Sequence, residues 1–307
     1  MVRWIILLII VAGLLCVAYG VVIERRWYRV RRYRLDILPA AGGTQLQPRL
    51  RILHLSDLHL VRRDRRMPAF LATLPEADIT ILTGDVLGEP EAVEHAVAAL
   101  EPVRGRVASF LVLGSNDLFS PTPINYLRYF RKRHRVRVGV RGRSEELVEQ
   151  LTRQGWTVLR NDRVQLDLDG LAAEVAGLED AHIVRHDLRA AVRTRPERFG
   201  IAILHSPDPT PELVALGYPL IFAGHTHGGQ VRLPLIGALV TNGQLPRRLS
   251  RGVFRMGPSV VSISAGLGQS KYAPFRFFCP PEVSMIDLRP APQEAEASPI
   301  ATSKTRS

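Results

Sequence analysis

The chain has 307 residues, of which 46% are hydrophobic and 23% are charged, so a mainly disordered or fibrous protein is excluded. The length fits one large domain or two small ones. The net charge is +12, but residues 1–49 carry +6 and residues 128–143 carry +8, so the rest of the chain is slightly negative. This distribution argues against a uniformly basic nucleic-acid-binding protein and indicates local surface patches.

The N-terminal segment is strongly apolar. Residues 4–23 carry no charge, and a helix of that length spans the roughly 30 Å hydrocarbon core of a bilayer. The small residues around Ala18 resemble a cleavage site, so a removed signal peptide is the alternative. The apolar run continues past that site, which favours an uncleaved transmembrane anchor over residues 1–24. The arginines that follow predict, by the positive-inside rule, a single-pass protein of the cell membrane with its main domain on the cytoplasmic side.

Composition divides the rest of the chain into three parts. Residues 25–49 are basic and then contain proline and glycine, which predicts a juxtamembrane linker. Residues 50–289 form the predicted main domain, and no internal repeat or second domain is evident in them. Residues 290–307 are rich in proline, alanine, glutamate, serine and threonine, which is typical of a disordered tail.

Short apolar segments alternate with polar motifs through the central domain. Five of these segments predict strands buried on both faces, at residues 50–55, 79–82, 108–113, 201–204 and 220–222. Helices are predicted at residues 91–100 and 144–154, and further strands at 231–233, 260–264 and 283–288. The sequence therefore predicts an α/β protein whose polar motifs lie at the carboxyl ends of its strands, where such sheets bind ligands.

The polar motifs contain metal-ligand residue types. In chain order they are Asp57-Leu58-His59, Gly84-Asp85, Gly114-Ser115-Asn116-Asp117, His205 and Gly224-His225-Thr226-His227. A single histidine at a strand end is more often structural than a ligand, but five successive strand ends here deliver aspartate, asparagine or histidine. Carboxylate and imidazole ligands without thiolate suit Mn, Fe, Zn or Mg, and Asp85 could bridge two ions.

This ordered set resembles the calcineurin-like metallophosphoesterase superfamily over about residues 50–289. Residues 224–230 and 277–283 are similar to the bacterial membrane-associated branch, which often has one N-terminal apolar segment. The resemblance implies a four-layer α/β/β/α sandwich, in which two mixed sheets are flanked by helices, preceded here by the N-terminal transmembrane helix.

The resemblance also implies two divalent metal ions and their ligands. One ion would be held by Asp57, His59 and His227, the second by Asn116, His205 and His225, with Asp85 bridging them. Two ions about 3.5–4 Å apart can generate a bridging hydroxide near neutral pH and hold both the attacking and the leaving oxygen of a phosphoryl displacement. On this interpretation Asp85, Asn116 and His225 are catalytic.

One loop departs from the family pattern. The usual sequence is Gly-Asn-His-Asp, with the asparagine on the metal and the histidine protonating the leaving group, whereas this chain has Gly114-Ser115-Asn116-Asp117. An ungapped alignment puts Ser115 at the ligand position, and a one-residue shift puts Asn116 there; we favour Asn116 because a carbonyl oxygen suits a hard cation. The loop has no histidine in either alignment, and losing a general acid typically costs about 10²–10⁴ in rate. His182 and His186 are outside candidates for that acid, with solvated loop histidines as the favoured interpretation.

The basic run from Arg128 to Arg143 contains eight basic residues and no acidic residue. A solvated face and a membrane-surface patch are equally favoured, since each basic residue near anionic lipid can add about 1 kcal/mol of binding. Nucleic-acid binding is the least favoured, because no motif for it is present.

Two functional hypotheses follow. The first is a membrane-anchored dinuclear phosphoesterase that hydrolyses a phosphate ester or pyrophosphate bond, with a lipid-linked substrate as one option. The second is a catalytically weakened metal-binding protein that binds a polyanionic surface. The complete set of aspartate and histidine motifs favours the enzyme.

Overall fold

The computed structural model describes residues 1–39, 49–120, 139–269 and 272–292. Six α-helices lie in these residues: α1 (Val2–Ala18), α2 (Arg66–Leu71), α3 (Val93–Leu100), α4 (Ser115–Leu118), α5 (Ser144–Arg153) and α6 (Thr210–Ala215). Their strands are β1 (Arg29–Leu38), β2 (Leu50–Leu55), β3 (Ile79–Leu82), β4 (Ala108–Leu111), β5 (Thr157–Val158), β6 (Asp162–Leu168), β7 (Leu171–Gly177), β8 (Phe199–Ile203), β9 (Leu220–Ala223), β10 (Arg232–Leu233), β11 (Gly237–Ala238), β12 (Gly252–Met256), β13 (Ser259–Ile263) and β14 (Glu282–Pro290).

Two six-stranded mixed sheets form the centre of the molecule. Their strand orders are β1-β14-β2-β3-β4-β5 and β12-β13-β9-β8-β7-β6. A buried cluster that includes Ile52, Phe110, Ile201 and Phe222 joins the two sheets face to face. A second cluster packs α2, α3 and α5 on the outside of the first sheet, and a third packs α6 on the outside of the second. The predicted four-layer sandwich is thus confirmed.

Strand β2 shows why the apolar segments form this architecture. Alternate side chains of a strand point to opposite faces of the sheet. Leu50 and Ile52 enter the cluster between the sheets, whereas Leu53 and Leu55 enter the cluster beneath the helices. A strand with helices on one face and a second sheet on the other is apolar on both sides, which is the pattern seen in the sequence.

The structure differs from the predicted linker over residues 25–49. Residues Arg29–Leu38 form β1, which pairs in parallel with β14 at the edge of the first sheet. The buried Leu35 alternates with the exposed Arg34 and Asp36, which is the two-residue pattern of an edge strand, and the arginines obscured it in the sequence. Residues 40–48 lie outside the described residues.

Other boundaries moved by only a few residues, and one hairpin was missed. Helix α3 begins two residues later than predicted, after a short 3-10 turn at Pro90–Ala92. Sequence reasoning did not identify the β6–β7 hairpin or β12. Strands β6 and β12 are the antiparallel edges of the second sheet, and β7 lies inside it, parallel to β8. Most of the basic run 128–143 and of the tail 290–307 lies outside the described residues; residues 139–143 and 290–292 are described, and Pro290 ends β14.

The N-terminal helix is the structure's candidate membrane span. The helical segment Val2–Arg26 is long and apolar enough to cross a bilayer, and only 6% of its most apolar window is buried against the rest of the protein. Its last turns are different, because Gly20 packs against Phe275 and the Glu24 carboxylate accepts hydrogen bonds from the backbone N–H groups of Phe278 and Cys279. The end of the helix is therefore docked on the folded domain.

Candidate functional site

The polar motifs converge at one edge of the sandwich. Strands β2, β3 and β4 are parallel neighbours in the first sheet, and β8 and β9 are parallel neighbours in the second. Their carboxyl ends therefore lie together, and backbone hydrogen bonds such as Asp57 N–H to Gly84 C=O (2.9 Å) join the loops that follow them. Six of the seven predicted ligands come from these loops as carboxylates or imidazoles: Asp57, His59, Asp85, His205, His225 and His227.

One cluster contains Asp57, His59 and His227, whose potential ligand atoms all lie within 4.8 Å of one another. The His227 Nε2 atom is 3.5 Å from Asp57 Oδ1 and 3.2 Å from His59 Nε2. Asp57 Oδ1 is buried without a hydrogen-bond partner among the described residues, while its Oδ2 accepts hydrogen bonds from Ser56 Oγ and the His225 N–H. A buried carboxylate oxygen that faces two imidazole nitrogens fits a divalent cation.

The second cluster centres on Asp85. Its Oδ2 atom is 3.5 Å from both His59 Nε2 and His205 Nε2, so this carboxylate lies between a histidine of each cluster. His205 Nδ1 lies 2.7 Å from the Thr83 carbonyl and donates to it, which leaves Nε2 facing Asp85 as a potential ligand. His225 Nδ1 lies 3.2 Å from His205 Nε2 and faces the same space.

The backbone at these residues is unusual. Asp57, His59, Asp85, His225 and His227 all have positive φ angles, between 44° and 68°. Residues other than glycine in this region each cost of order 1–3 kcal/mol, and such strain concentrates at functional sites. Five strained ligand candidates in one cluster indicate that the loop geometry is adapted to position their side chains.

Burial and neighbouring charges shift the pKa values of the site residues. Burial raises the pKa of the Asp57 carboxyl. Burial also lowers the pKa values of His225 and His227 well below the ordinary value, so both imidazoles are neutral and offer lone pairs. Burial alone would lower the pKa of His205, but the carboxylates of Asp85, Asp180 and Asp57 raise it to about 10. A buried set of carboxylates and imidazoles of this kind would be stabilised by a bound cation, which would replace the proton on His205.

The structure places Asn116 at the site. Its Nδ2 atom is 2.5 Å from Asp85 Oδ2, and its backbone N–H donates to Asp85 Oδ1 at 2.8 Å. Rotation of the side-chain amide would present Oδ1 to the same space. Asn116 as a metal ligand, rather than Ser115, stays a prediction that this position supports.

Asn116→Ala is expected to weaken the binding of one metal ion by at least about tenfold, since even residues that only orient ligands contribute 10–100-fold to metal affinity. Ser115→Ala, the matched control in the same short helix α4, should change metal affinity little. Titration of the metal-free protein with Mn²⁺ by calorimetry measures both. A larger loss in Ser115→Ala than in Asn116→Ala would support the ungapped alignment.

Asp117 has a structural role that sequence reasoning missed. Its carboxylate is fully buried and accepts hydrogen bonds from the backbone N–H groups of Val86, Leu87 and Gly114. It thereby fixes the loop that carries Asp85 against the loop that carries Asn116. Asp117 was visible as the last residue of the loop motif, but nothing in the sequence distinguished a metal ligand from a residue that holds two loops together.

The two outside histidines differ. His182 is half-buried in a short turn, and its ring centroid is 4.4 Å from that of His225, so the interpretation as a solvated loop residue does not describe it. The described structure shows no such ring contact between His186 and the site. Asp180 caps the turn by accepting a hydrogen bond from the His182 N–H at 2.9 Å.

Two further residues next to the site carried no sequence signal. Asn242 places its side-chain amide 3.1 Å from His225 Nε2, on the side of the ring away from His205. Arg276 is fully buried, with its guanidinium Nη2 3.4 Å from His227 Nδ1 and hydrogen-bonded to the carbonyls of Ala265 and Gly268. Both come from segments distant in sequence from the ligands they contact.

Comparison with known proteins gives a consistent result. The calcineurin-like phosphoesterase family matches residues 50–229. The chain is 26% identical to the uncharacterized metallophosphoesterase YkuE of Bacillus subtilis, over 78% of this chain and 79% of that protein. It is 25% identical to the phosphodiesterase YaeI of Escherichia coli, over 86% of this chain and 90% of that protein. It is 26% identical to the UDP-2,3-diacylglucosamine pyrophosphatase LpxG of Chlamydia trachomatis, over 77% of this chain and 83% of that protein. With the family match spanning the loops that carry the two clusters, this chain belongs to the calcineurin-like phosphoesterase family and is a metal-dependent phosphoester hydrolase.

Proposed function

We propose that the protein is a membrane-anchored, dinuclear metallophosphoesterase that hydrolyses a phosphate ester or pyrophosphate bond in a lipid-linked substrate. The observation that carries the proposal is the position of Asp85. Its carboxylate lies between His59 of one ligand cluster and His205 of the other, as a residue shared by two ions must.

In the proposed site, Asp57, His59 and His227 hold one divalent ion, and Asn116, His205 and His225 hold the second, with Asp85 shared. Mn, Fe, Zn and Mg all suit such ligands. The ions would supply a nucleophile from water near neutral pH and neutralise the phosphoryl oxygens.

The surrounding residues keep these ligands in position. The Thr83 carbonyl fixes the tautomer of His205, and the Asn116 backbone N–H holds one oxygen of Asp85. The Asn242 amide contacts His225 Nε2, which leaves Nδ1 facing the site. Such contacts around metal ligands orient the imidazole rings and typically contribute 10–100-fold to metal affinity or activity.

The proposal of a lipid-linked substrate is supported by the position at which the N-terminal helix ends, close to the site. On one side the backbone N–H of Cys279 donates to the Glu24 carboxylate, and on the other its Sγ–H donates to the His227 carbonyl at 3.3 Å. A span that ends at this position would hold the site close to the membrane surface. The relative LpxG is named for a diacylated substrate with a pyrophosphate bond, which is the same chemical class. The arginines that follow the span favour a cytoplasmic catalytic domain.

The test is metal content measured together with activity on a substrate panel. Full-length protein in detergent, loaded with Mn²⁺, should bind two ions and hydrolyse bis-p-nitrophenyl phosphate, with higher kcat/KM on lipid-linked pyrophosphates than on soluble nucleotides. One ion per chain would overturn the dinuclear assignment. Equal rates on the lipid-linked and soluble members of the panel would overturn the substrate class.

The altered loop favours one other candidate function. Because the loop has no histidine to act as the usual acid, the alternative is a metal-binding protein of low turnover that binds a polyanionic surface. Full metal occupancy without measurable hydrolysis across the panel would support this alternative and overturn the enzyme.

Deleting residues 1–18 should release the protein from membranes while sparing hydrolysis of a soluble substrate, because Val2–Arg26 is the one candidate span in the described residues. The deletion keeps Gly20 and Glu24, which pack on the domain. A deletion through Glu24 should in addition lower the free energy of unfolding by about 1–3 kcal/mol, since the buried N–H of Cys279 and the partly buried N–H of Phe278 lose their acceptor. Fractionation and thermal unfolding measure these effects, and retention of the shorter deletion in membranes at high salt would reveal another anchor.

A further inference from the structure

We propose that the turn between β10 and β11, residues 234–236, inserts into the surface of the lipid bilayer beside the end of the N-terminal helix. The inference rests on the proposed membrane anchoring but concerns a different part of the chain. It assigns a second lipid contact to a hairpin that directly follows the ligand candidate His227.

The first observation is the exposure of this turn. Leu235 is fully exposed and Ile236 is 68% exposed, so the tip of the hairpin presents two large apolar side chains to solvent. Leu235 also has a positive φ of 67°, a conformation that glycine or asparagine would adopt with less strain. A strained, fully exposed leucine contributes nothing to packing within the chain, which indicates a contact outside it.

The second observation is continuity with the helix end. The hairpin is joined to the segment on which the helix docks, since the Arg232 N–H donates to the Phe277 carbonyl at 2.8 Å. The Phe277 ring contacts the rings of Tyr19, in the last turns of the helix, and of Phe278, which is itself 52% exposed. The hairpin, the exposed Phe278 and the end of the span are therefore neighbours on one side of the domain.

The third observation is charge. Residues 228–258 contain five arginines and no acidic residue: Arg232, Arg247, Arg248, Arg251 and Arg255. Arg232 donates to the Gly228 carbonyl and Arg247 to the Leu239 carbonyl, so two of these cations lie at the base of the apolar tip. The apolar tip fits the acyl layer of an anionic bilayer, and the arginines beneath it fit the headgroup layer. A second copy of the chain fits poorly, because two such basic surfaces would repel each other.

The test measures the depth of the tip in full-length protein reconstituted in nanodiscs of phosphatidylcholine and phosphatidylglycerol. Leu235→Cys is made in a Cys16→Ser background and labelled with an environment-sensitive fluorophore; Cys279 is buried and should not react. We expect a blue-shifted emission that is quenched by lipids with brominated acyl chains. The matched control is Asp169→Cys in the β6–β7 turn, which lies at the opposite edge of the sheets beside Arg106 and should remain water-exposed.

Two outcomes would overturn the proposal. One is water-like emission at Leu235→Cys in nanodiscs. The other is a blue shift in detergent that depends on protein concentration, which would assign the tip to a second copy of the chain. Because neither readout needs turnover, the result is independent of the proposed reaction.

A second variant connects the contact to catalysis. Leu235→Asp with Ile236→Asp should lower the rate on a lipid-linked pyrophosphate in nanodiscs by roughly tenfold or more, because a misplaced site loses alignment with its substrate. The rate on bis-p-nitrophenyl phosphate in the same preparation should be unchanged, which shows that the site is intact. An unchanged rate on both substrates would contradict insertion of the tip.

Discussion

Replacing Asp85 with asparagine should lower kcat on bis-p-nitrophenyl phosphate by at least ~10³-fold, because in the proposed dinuclear site several kcal/mol of charge stabilisation depend on the metal pair. The variant removes one negative charge from the carboxylate whose Oδ2 atom lies 3.5 Å from both His59 Nε2 and His205 Nε2. We also expect metal content to fall below two ions per chain. Steady-state kinetics and elemental analysis of the same preparation measure both effects.

The matched control is Asp78→Asn, at the other end of the same strand. Asp78 precedes β3 and pairs with Arg106 at 2.9 Å, far from the clusters. As a partly exposed ion pair its loss should cost at most about 1 kcal/mol of stability and leave kcat unchanged. If Asp85→Asn retained two ions and a normal rate, the shared-ligand assignment would be wrong.

The second large effect concerns leaving groups. The loop lacks the usual histidine, so the departing oxygen should bear more charge in the transition state, and the rate should fall steeply as the leaving-group pKa rises. Restoring the family pattern with Ser115→Asn plus Asn116→His should speed poor leaving groups by about 10²–10⁴-fold while changing good ones little. A series of aryl and alkyl phosphodiesters measures the slope in both proteins.

A shallow slope in the unmodified protein would contradict this prediction and would mean that another acid is present. His182 is then the first residue to test, because its ring lies against His225 with centroids 4.4 Å apart. In that case His182→Gln should steepen the slope, whereas His186→Gln, four residues further along the chain, should not.

The edge of the sandwich that carries the two candidate ligand clusters was predictable from the sequence, because its residues follow the apolar strands directly. Asp57, Asp85 and His205 each lie within a few residues of a strand that is buried on both faces, and parallel strands bring their carboxyl ends together. The central strands and the order of layers were predictable for the same reason, since continuous apolar segments have few alternatives to a doubly covered sheet.

Edge elements and neighbouring residues were not predictable in this way. Strand β1 is half-exposed and rich in arginine, so the alternation of apolar and polar residues in its sequence is weak. Its pairing with β14, which makes it a strand, is not visible in the sequence. Asn242 and Arg276 lie in irregular segments that approach the histidines only through the tertiary fold. His182 was assigned to a solvated loop because its proximity to His225 depends on the turn that Asp180 caps.

In the proposed membrane-anchored protein, the docking of Glu24 on the backbone of Phe278 and Cys279 has a kinetic consequence. A catalytic domain on a long flexible tether samples a hemisphere of bulk solution, whereas a domain packed on the end of its span diffuses only in the plane of the bilayer. We therefore expect turnover of a lipid-linked substrate to follow its mole fraction in the surface rather than its bulk concentration. Adding inert lipid at constant substrate should slow the reaction by surface dilution, and the rate on a water-soluble diester should not change.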